Sequence, residues 1–324
     1  IYPYYDGKFG YLENPEENTN ARNNLFFLNR TGGYYKYSLI NATTFATITF
    51  PQNIKYNVSF NYNRFWSQQK YYVNTLSAYS FRRAEIAYSG YALENLNLSM
   101  YYSGNYRWVF QNNLTWDQRI KEKHEVSALV GYESTYYNTQ WTNASKTGLI
   151  DDAITELSTA TEMTAITGTQ QDEASQSVFG RATYAYDSRY LLEANLRYDG
   201  SSKFDRQSRW GLFPSFSAGW RITEEAFMDN SAIDNLKIRA SWGKLGNNSI
   251  GNYAYQATYN TGYKYSFGGS LVNGIAQTVL NNSYLQWETT TSSNIGVDLG
   301  VLRNRLSAEI EGYYKLTDGI LYRV

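Results

Sequence analysis

The sequence has no cysteine, one histidine (His124) and only four prolines in 324 residues. Without cysteine there is no disulfide framework and no thiolate site, whatever the compartment. A single histidine excludes a multi-histidine metal centre. No serine nucleophile elbow accompanies it, so a His-based catalytic triad has no support, and no glycine loop suited to cradling phosphate is present. Charge of one sign is also lacking: 29 basic residues face 29 acidic ones. Nucleic-acid binding draws on a surplus of Lys and Arg, so this balance argues against it. No apolar run approaches the roughly 18 residues that a membrane-spanning helix needs. That excludes helical membrane proteins only, because a membrane β-barrel hides its apolar surface at every second position.

What the sequence does have is aromatic residues, 33 of them tyrosines, set into strict alternation. In "RYLLEANLRYDG" one parity holds Tyr190, Leu192, Ala194, Leu196 and Tyr198, and the other holds Glu193, Asn195, Arg197 and Asp199. "IKYNVSFNYNRF" sorts in the same way, with Ile54, Tyr56, Val58, Phe60 and Tyr62 against Lys55, Asn57, Ser59 and Asn61. The pattern returns in "NYRWVFQNNLTWD", "HEVSALVGYES", "SVFGRATYAYD", "SFSAGWRI", "NLKIRASWGK", "SNIGVDLGVL" and "RLSAEIEGYYKL". A period of two sustained over so many residues predicts strands, and no window carries a 3.6-residue stripe that would predict a helix.

About ten strands are expected, near 40–50, 54–69, 103–117, 123–141, 175–187, 189–200, 211–224, 235–246, 284–300 and 305–317. Short links at 51–53, 118–123, 187–189, 226–234 and 303–305 alternate with long ones at 70–102, 142–174, 200–210 and 247–283. Short turns at one end and long loops at the other describe an up-and-down antiparallel sheet with two different rims. A soluble sandwich is the competing architecture. Its strands run about 5 to 6 residues, whereas strands of about ten are what crosses a bilayer at a tilt. Charged residues on the inner parity would also need partners in a dry core. Tyr132, Tyr186, Tyr190, Tyr198, Trp220 and Trp242 fall near strand ends, where an interfacial aromatic girdle belongs. The expected fold is therefore all-β: an antiparallel up-and-down transmembrane β-barrel, present in part. Ile1 and Val324 read as the ends of an excised piece, and no linker divides it.

The segments "SVFGRATYAYDSRYLLEANLRYDGSSKF", "RWGLFPSFSAGWRITEEAFM", "LKIRASWGKLGNNSIGNYAY" and "LQWETTTSSNIGVDLGVLRNRLSAEIEGYYKLTDGIL" resemble successive barrel strands of the SusC/RagA family of TonB-dependent outer-membrane transporters of Bacteroidetes. The resemblance is strong over residues 175–324 and weaker upstream, where "YPYYDGKFGYLENPEEN" resembles a family loop that precedes a strand. It implies a barrel of roughly 22 strands around a plugged lumen, of which this chain would supply about ten, without the plug, the energy-coupling box or the final strand. It also implies active import of an oligosaccharide or peptide across the bacterial outer membrane, with TonB acting on the plug and a SusD-like surface lipoprotein over the loops. A siderophore or cobalamin receptor, or a non-transporting barrel such as an adhesin, shares the same barrel physics. No cofactor, metal or catalytic role is expected.

Candidate substrate-binding residues are Arg197, Asp199, Arg221, Arg239, Tyr253, Tyr255 and Tyr259. For the charged residues, the plainer reading of Arg209, Arg221, Lys237 and Arg239 is a lumen-facing network with Asp199, Glu193 and Asp205; Asp199 also begins a turn-like "DGSS". The aromatic stretches 32–37, 70–74, 135–141 and 251–267 read as loops whose flat rings stack on sugars or peptides, or on one another. Acidic residues of 151–162 lack the spacing and turn glycine of a calcium loop, which favours a solvated loop.

Overall fold

A computed structural model describes residues 4–11, 23–229 and 231–321. In chain order the elements are β1 (Tyr4–Tyr5), β2 (Lys8–Gly10), α1 (Asn24–Arg30), β3 (Thr31–Phe50), β4 (Ile54–Val73), β5 (Ala78–Ser80), β6 (Glu85–Tyr88), β7 (Asn97–Ile120), β8 (His124–Leu149) and β9 (Ala160–Tyr186). They continue with β10 (Tyr190–Ser201), β11 (Trp210–Arg221), β12 (Ile233–Asn247), β13 (Thr258–Phe267), β14 (Ser270–Val279), β15 (Glu288–Val301) and β16 (Leu306–Asp318). Ten of the strands form one sheet in the order β16-β15-β12-β11-β10-β9-β8-β7-β4-β3. Each strand pairs with the next sheet strand in the chain, which is the up-and-down order expected from the alternating link lengths.

The register puts the two parities on opposite faces. Tyr190 stands opposite Tyr186 on one side and Trp220 on the other, and Trp220 opposite Ile238. That rung continues through Val297 to Ile310. Glu193 stands opposite Thr183 and Ser217, a polar rung on the other face. The greasy face is not covered by protein: Leu192, Leu196, Phe216 and Ile295 are all more than half exposed. Among the described residues only nine hydrophobic side chains are buried, far too few for a sandwich core of this length. The accessible surface of 22174 Å² compares with about 14,000 Å² for a soluble monomer of this length. The apolar face therefore needs lipid as its solvent.

The tight turns supply the register. Gln52 and Asn53, Lys121 and Glu122, and Asp187 and Ser188 all have positive φ, as two-residue hairpin turns that match the twist of their strands require. Beside the turn at 187–188, Tyr190 stacks on Tyr186 and on Trp220. Glu225 then accepts hydrogen bonds from the Tyr190 hydroxyl at 2.6 Å and from Trp220 Nε1 at 3.0 Å, and pairs with Arg189 at 3.2 Å. The Tyr190 hydrogen bond, followed by that of Trp220, holds the Glu225 carboxyl below the usual carboxylate range.

The chain divides into two compact units, residues 1–41, 63–106 and 138–171, and residues 42–62, 107–137 and 172–324. The first contains the small sheet β1-β2-β5-β6 and a core of Leu96, Leu98, Leu149 and Ala160, packed by Tyr72 and Leu157. Full burial of a leucine stabilises by roughly 1.5–3 kcal/mol, so this cluster fixes the ends of β7, β8 and β9. In the same unit the 150–159 link is held by Asp152, which accepts from the hydroxyl and, at 3.2 Å, the amide of Thr75. The Thr75 hydroxyl is the main reason its carboxyl lies below the ordinary 3.8. The second unit contains the hairpin β13-β14, which forms its own two-stranded sheet.

Several sequence expectations need correction. The expected loop 142–174 is mostly strand, since β8 runs to Leu149 and β9 starts at Ala160. The aromatic stretches 32–37, 70–73 and 135–141 lie within β3, β4 and β8. In these extensions both faces are polar or aromatic, so alternation vanishes while the backbone ladder continues. The helix α1 was not expected: it is one short segment, capped by Asn23 Oδ1 accepting from the Phe26 amide at 3.3 Å.

Two outcomes follow. Replacing Lys121 and Glu122 by Asn and Gly removes left-handed strain of about 1–2 kcal/mol per residue, partly offset by glycine's chain entropy. The urea midpoint of the barrel in detergent should rise; an unchanged or lower midpoint would show that the turn is not strained. Asp152 has a depressed folded pKa, so its stabilisation is present above 3.8 and is lost as pH falls through the folded value. Pepsin should cut 150–159 more readily as pH drops from about 5 to 3, and D152N should be cut readily at both.

Candidate functional site

The inner face of the second unit carries the charged residues, and the hairpin turn 187–189 explains how they meet. It fixes Arg197 opposite Phe179 and Asp199 opposite Ser177. Arg197 Nε donates to both oxygens of Asp199, at 2.7 and 2.9 Å, and its Nη2 donates to Ser177 Oγ at 2.8 Å. Glu133, from β8, lies 3.6 Å from the same Nη2 and accepts from Gln111 Nε2 of β7. The guanidinium also sits 5.3 Å from the Phe179 ring centroid. Gly131 makes room for that ring, since a Cβ there would stand 2.5 Å from the Phe179 Cζ. Residues i and i+2 of one strand share a face, so the Arg197–Asp199 pair was legible in the sequence. Glu133, Gln111 and Ser177 were not, although extending the register from the short turn would have reached Ser177.

A second cluster lies on β12, β15 and β16. Arg239 Nε donates to Asp298 at 3.1 Å and its Nη2 to Glu311 at 3.0 Å. Between the two clusters, Arg181 pairs with Glu193 at 2.7 Å, and Asn195 donates to the other Glu193 oxygen at 2.8 Å. Arg197 faces Phe213 in register, and Arg239 faces Gly219 on the same β11, six residues or roughly 20 Å further along. The two arginines therefore do not converge. Two hollows line this face, one of about 780 Å³ that includes Asp117, Arg119, Glu193, Lys237 and Arg239, and one of about 890 Å³ that includes Arg197, Glu311 and Lys315.

The expected single network is thus several separate clusters, and two arginines belong to none of them. Arg221 ends β11 and donates to Glu224 at 2.6 Å and to the Ser188 carbonyl at 3.2 Å, bracing the short-turn end. Arg221 stands opposite Lys237 at the last rung of the β11–β12 pairing, and its side chain is engaged at the short-turn end rather than with the charged clusters. Arg209 turns into the 202–209 loop, donating to the Phe204 carbonyl at 3.4 Å. There Phe204 is fully buried against Trp287, whose Nε1 donates to the Arg209 carbonyl at 3.0 Å.

The three tyrosines occupy the long 248–287 connection but differ in surroundings. The Tyr253 hydroxyl accepts from the Asp172 amide at 2.9 Å, and the Tyr255 hydroxyl accepts from Gln256 at 2.9 Å. Tyr259 lies in β13 and is exposed, as are Tyr263, Tyr265 and Phe267 of the same strand. His124, at the start of β8, shares a hydrogen bond of 2.8 Å with the Tyr184 hydroxyl. Among the described residues no group of three or more His, Cys, Asp or Glu side chains could hold a metal ion.

The family model described as "TonB dependent receptor-like, beta-barrel" matches residues 2–324. TonB-dependent receptor P39 of Formosa agariphila is 35% identical over 222 residues, 68% of this chain and 21% of that protein. TonB-dependent receptor SusC of Bacteroides thetaiotaomicron is 40% identical over 153 residues, 46% of this chain and 15% of that protein. Among solved structures, the RagAB peptide transporter superposes with a TM-score of 0.79 at 23% identity, over 90% of this chain and 31% of that one. The chain thus spans about a fifth of the length of the first curated relative.

Removing Arg197 leaves the Asp199 carboxylate of β10 and the Glu133 carboxylate of β8 without the cation they share across β9. Because the Arg197 side chain is 42% exposed, solvent screening limits the loss to about 1 kcal/mol. R197M should lower the unfolding midpoint, and R197M/D199N should recover part of the loss. If the double variant is no better than the single one, the arginine is not serving as counter-charge to Asp199.

Proposed function

The chain belongs to the TonB dependent receptor-like β-barrel family, and from that premise we propose that the protein of which it is part actively imports a nutrient, an oligosaccharide or a peptide, across the outer membrane. The chain's own share is wall: lipid-facing strands, an inner polar face and loops at one rim. The observation that carries the reading is the sorting of the sheet. One face offers lipid an apolar surface framed by Tyr190, Trp220, Tyr198 and Trp210, and the other offers partly exposed ion pairs and hollows. Such a wall suits cargo that is large and polar.

Aromatic residues at the long-loop rim support sugar or peptide recognition, since flat rings stack on either with little side-chain entropy lost. Tyr253, Tyr255 and Tyr259 are the candidates there, and Arg197, Asp199 and Arg239 are candidates on the inner face. The partners we assign are a SusD-like surface lipoprotein over the long loops and TonB acting through a plug. A lumen wide enough for such cargo must be closed, and reopening it requires work from outside the barrel. The role is transport rather than catalysis.

The test uses the full-length protein in its own cells. Uptake of fluorescent oligosaccharides and peptides should fall to background when the gene is deleted, and equally when TonB is lost or a protonophore is added. Uptake that survives loss of TonB would sink active import, and a deletion strain with unchanged uptake of both cargo classes would sink the nutrient reading.

A further inference from the structure

In the first unit a buried cation has no counter-charge among the described residues. Arg30 closes α1 and is 7% exposed. Its guanidinium lies 4.3 Å from the Tyr91 ring centroid, 4.9 Å from Tyr88 and 5.8 Å from Phe26. Aromatic faces attract the cation, but they do not accept strong hydrogen bonds from its N–H groups. Three buried side-chain polar atoms among the described residues lack a hydrogen-bond partner, and two of them are Arg30 Nε and Nη2. Among the described residues no ion pair joins Arg30 either.

The identity of those two atoms matters. Nε–H and Nη2–H lie along one edge of the guanidinium and point the same way, which is the edge that grips an oxyanion through two parallel hydrogen bonds. The backbone that carries the fork is anchored: the Arg30 carbonyl accepts from the Asn74 amide at 3.0 Å, and Asn74 Nδ2 donates to the Asn29 carbonyl at 2.8 Å. The rings belong to a short segment with a close backbone approach to Thr75. Gly90, between Tyr88 and Tyr91, donates to Ser77 Oγ at 3.0 Å, and a Cβ there would stand 1.8 Å from the Thr75 carbonyl oxygen.

We propose that the Nε–Nη2 edge of Arg30 is a recognition point for a carboxylate, such as that of a uronic acid or an acidic peptide, reached when the Tyr88–Tyr91 segment moves aside. A carboxylate is flat and lies in the guanidinium plane in a side-on pair, so it needs less room beside the crowded rings than a tetrahedral phosphate. Binding relieves two orphaned donors and an uncompensated buried charge at once. The inference does not depend on which cargo the protein carries.

The test is calorimetric titration of the full-length protein in detergent with glucuronate, using glucose as the uncharged control and inorganic phosphate as the tetrahedral oxyanion. Glucuronate should bind and glucose should not. R30K keeps the charge but loses the fork, and should weaken glucuronate at least tenfold. Hydrogen exchange over residues 23–30 and 85–92 should slow on adding glucuronate to the wild type and stay unchanged in R30K. Glucuronate binding that is indifferent to R30K, or tighter binding of phosphate, would overturn the proposal. So would a wild type that binds nothing.

Discussion

Everything in this structure depends on one requirement of the backbone. In hydrocarbon a peptide N–H or C=O without a partner costs several kcal/mol, and a strand can satisfy its groups only through its neighbours. Once strands pair in sequence order, their side chains must alternate between two faces. Lipid then selects Leu192, Leu196 and Phe216 for one face, and water selects Glu193, Asn195 and Ser217 for the other. The absence of a conventional core follows directly, because the surface that a soluble protein would bury is here turned toward the bilayer.

The same requirement decides how charges are arranged on the polar face. Arg197 is shared among Asp199, Ser177 and Glu133, and Arg239 between Asp298 and Glu311. Each arginine is nearly neutralised where it stands, and the clusters remain separate. A candidate cargo site on this wall is therefore a set of small polar stations rather than one concentrated field. The arginine that differs is Arg30, in the other unit, with its orphaned edge.

What the sequence disclosed follows the strength of the lipid–water contrast along the chain. Where one face meets hydrocarbon, as in 190–201 or 233–247, the alternation located strands to within a few residues, and the resemblance of 175–324 to barrel strands agreed with the family match. Where both faces meet water, as in β8 beyond residue 141 and β9 before residue 175, no contrast remained and strand was mistaken for loop. Side-chain partnerships were legible only within one strand, as for Arg197 with Asp199. Those that join β7, β8 and β10 depend on register across turns, and α1 depends on a local cap at Asn23 in a segment too short for a periodic stripe.

The aromatic pairs also measure a length. Tyr190 stacks on Trp220 at one end of β10 and β11, and Tyr198 stacks on Trp210 at the other. Eight residues separate the two tyrosines on β10, which is roughly 26 Å along the strand and about 20 Å along the membrane normal once the strand is tilted. The wall is therefore cut for a thin bilayer, and outer membranes are thinner than average. In a thicker membrane one row of rings would be dragged into hydrocarbon, with Glu225 tethered to it, so membrane thickness itself helps determine where this protein can rest.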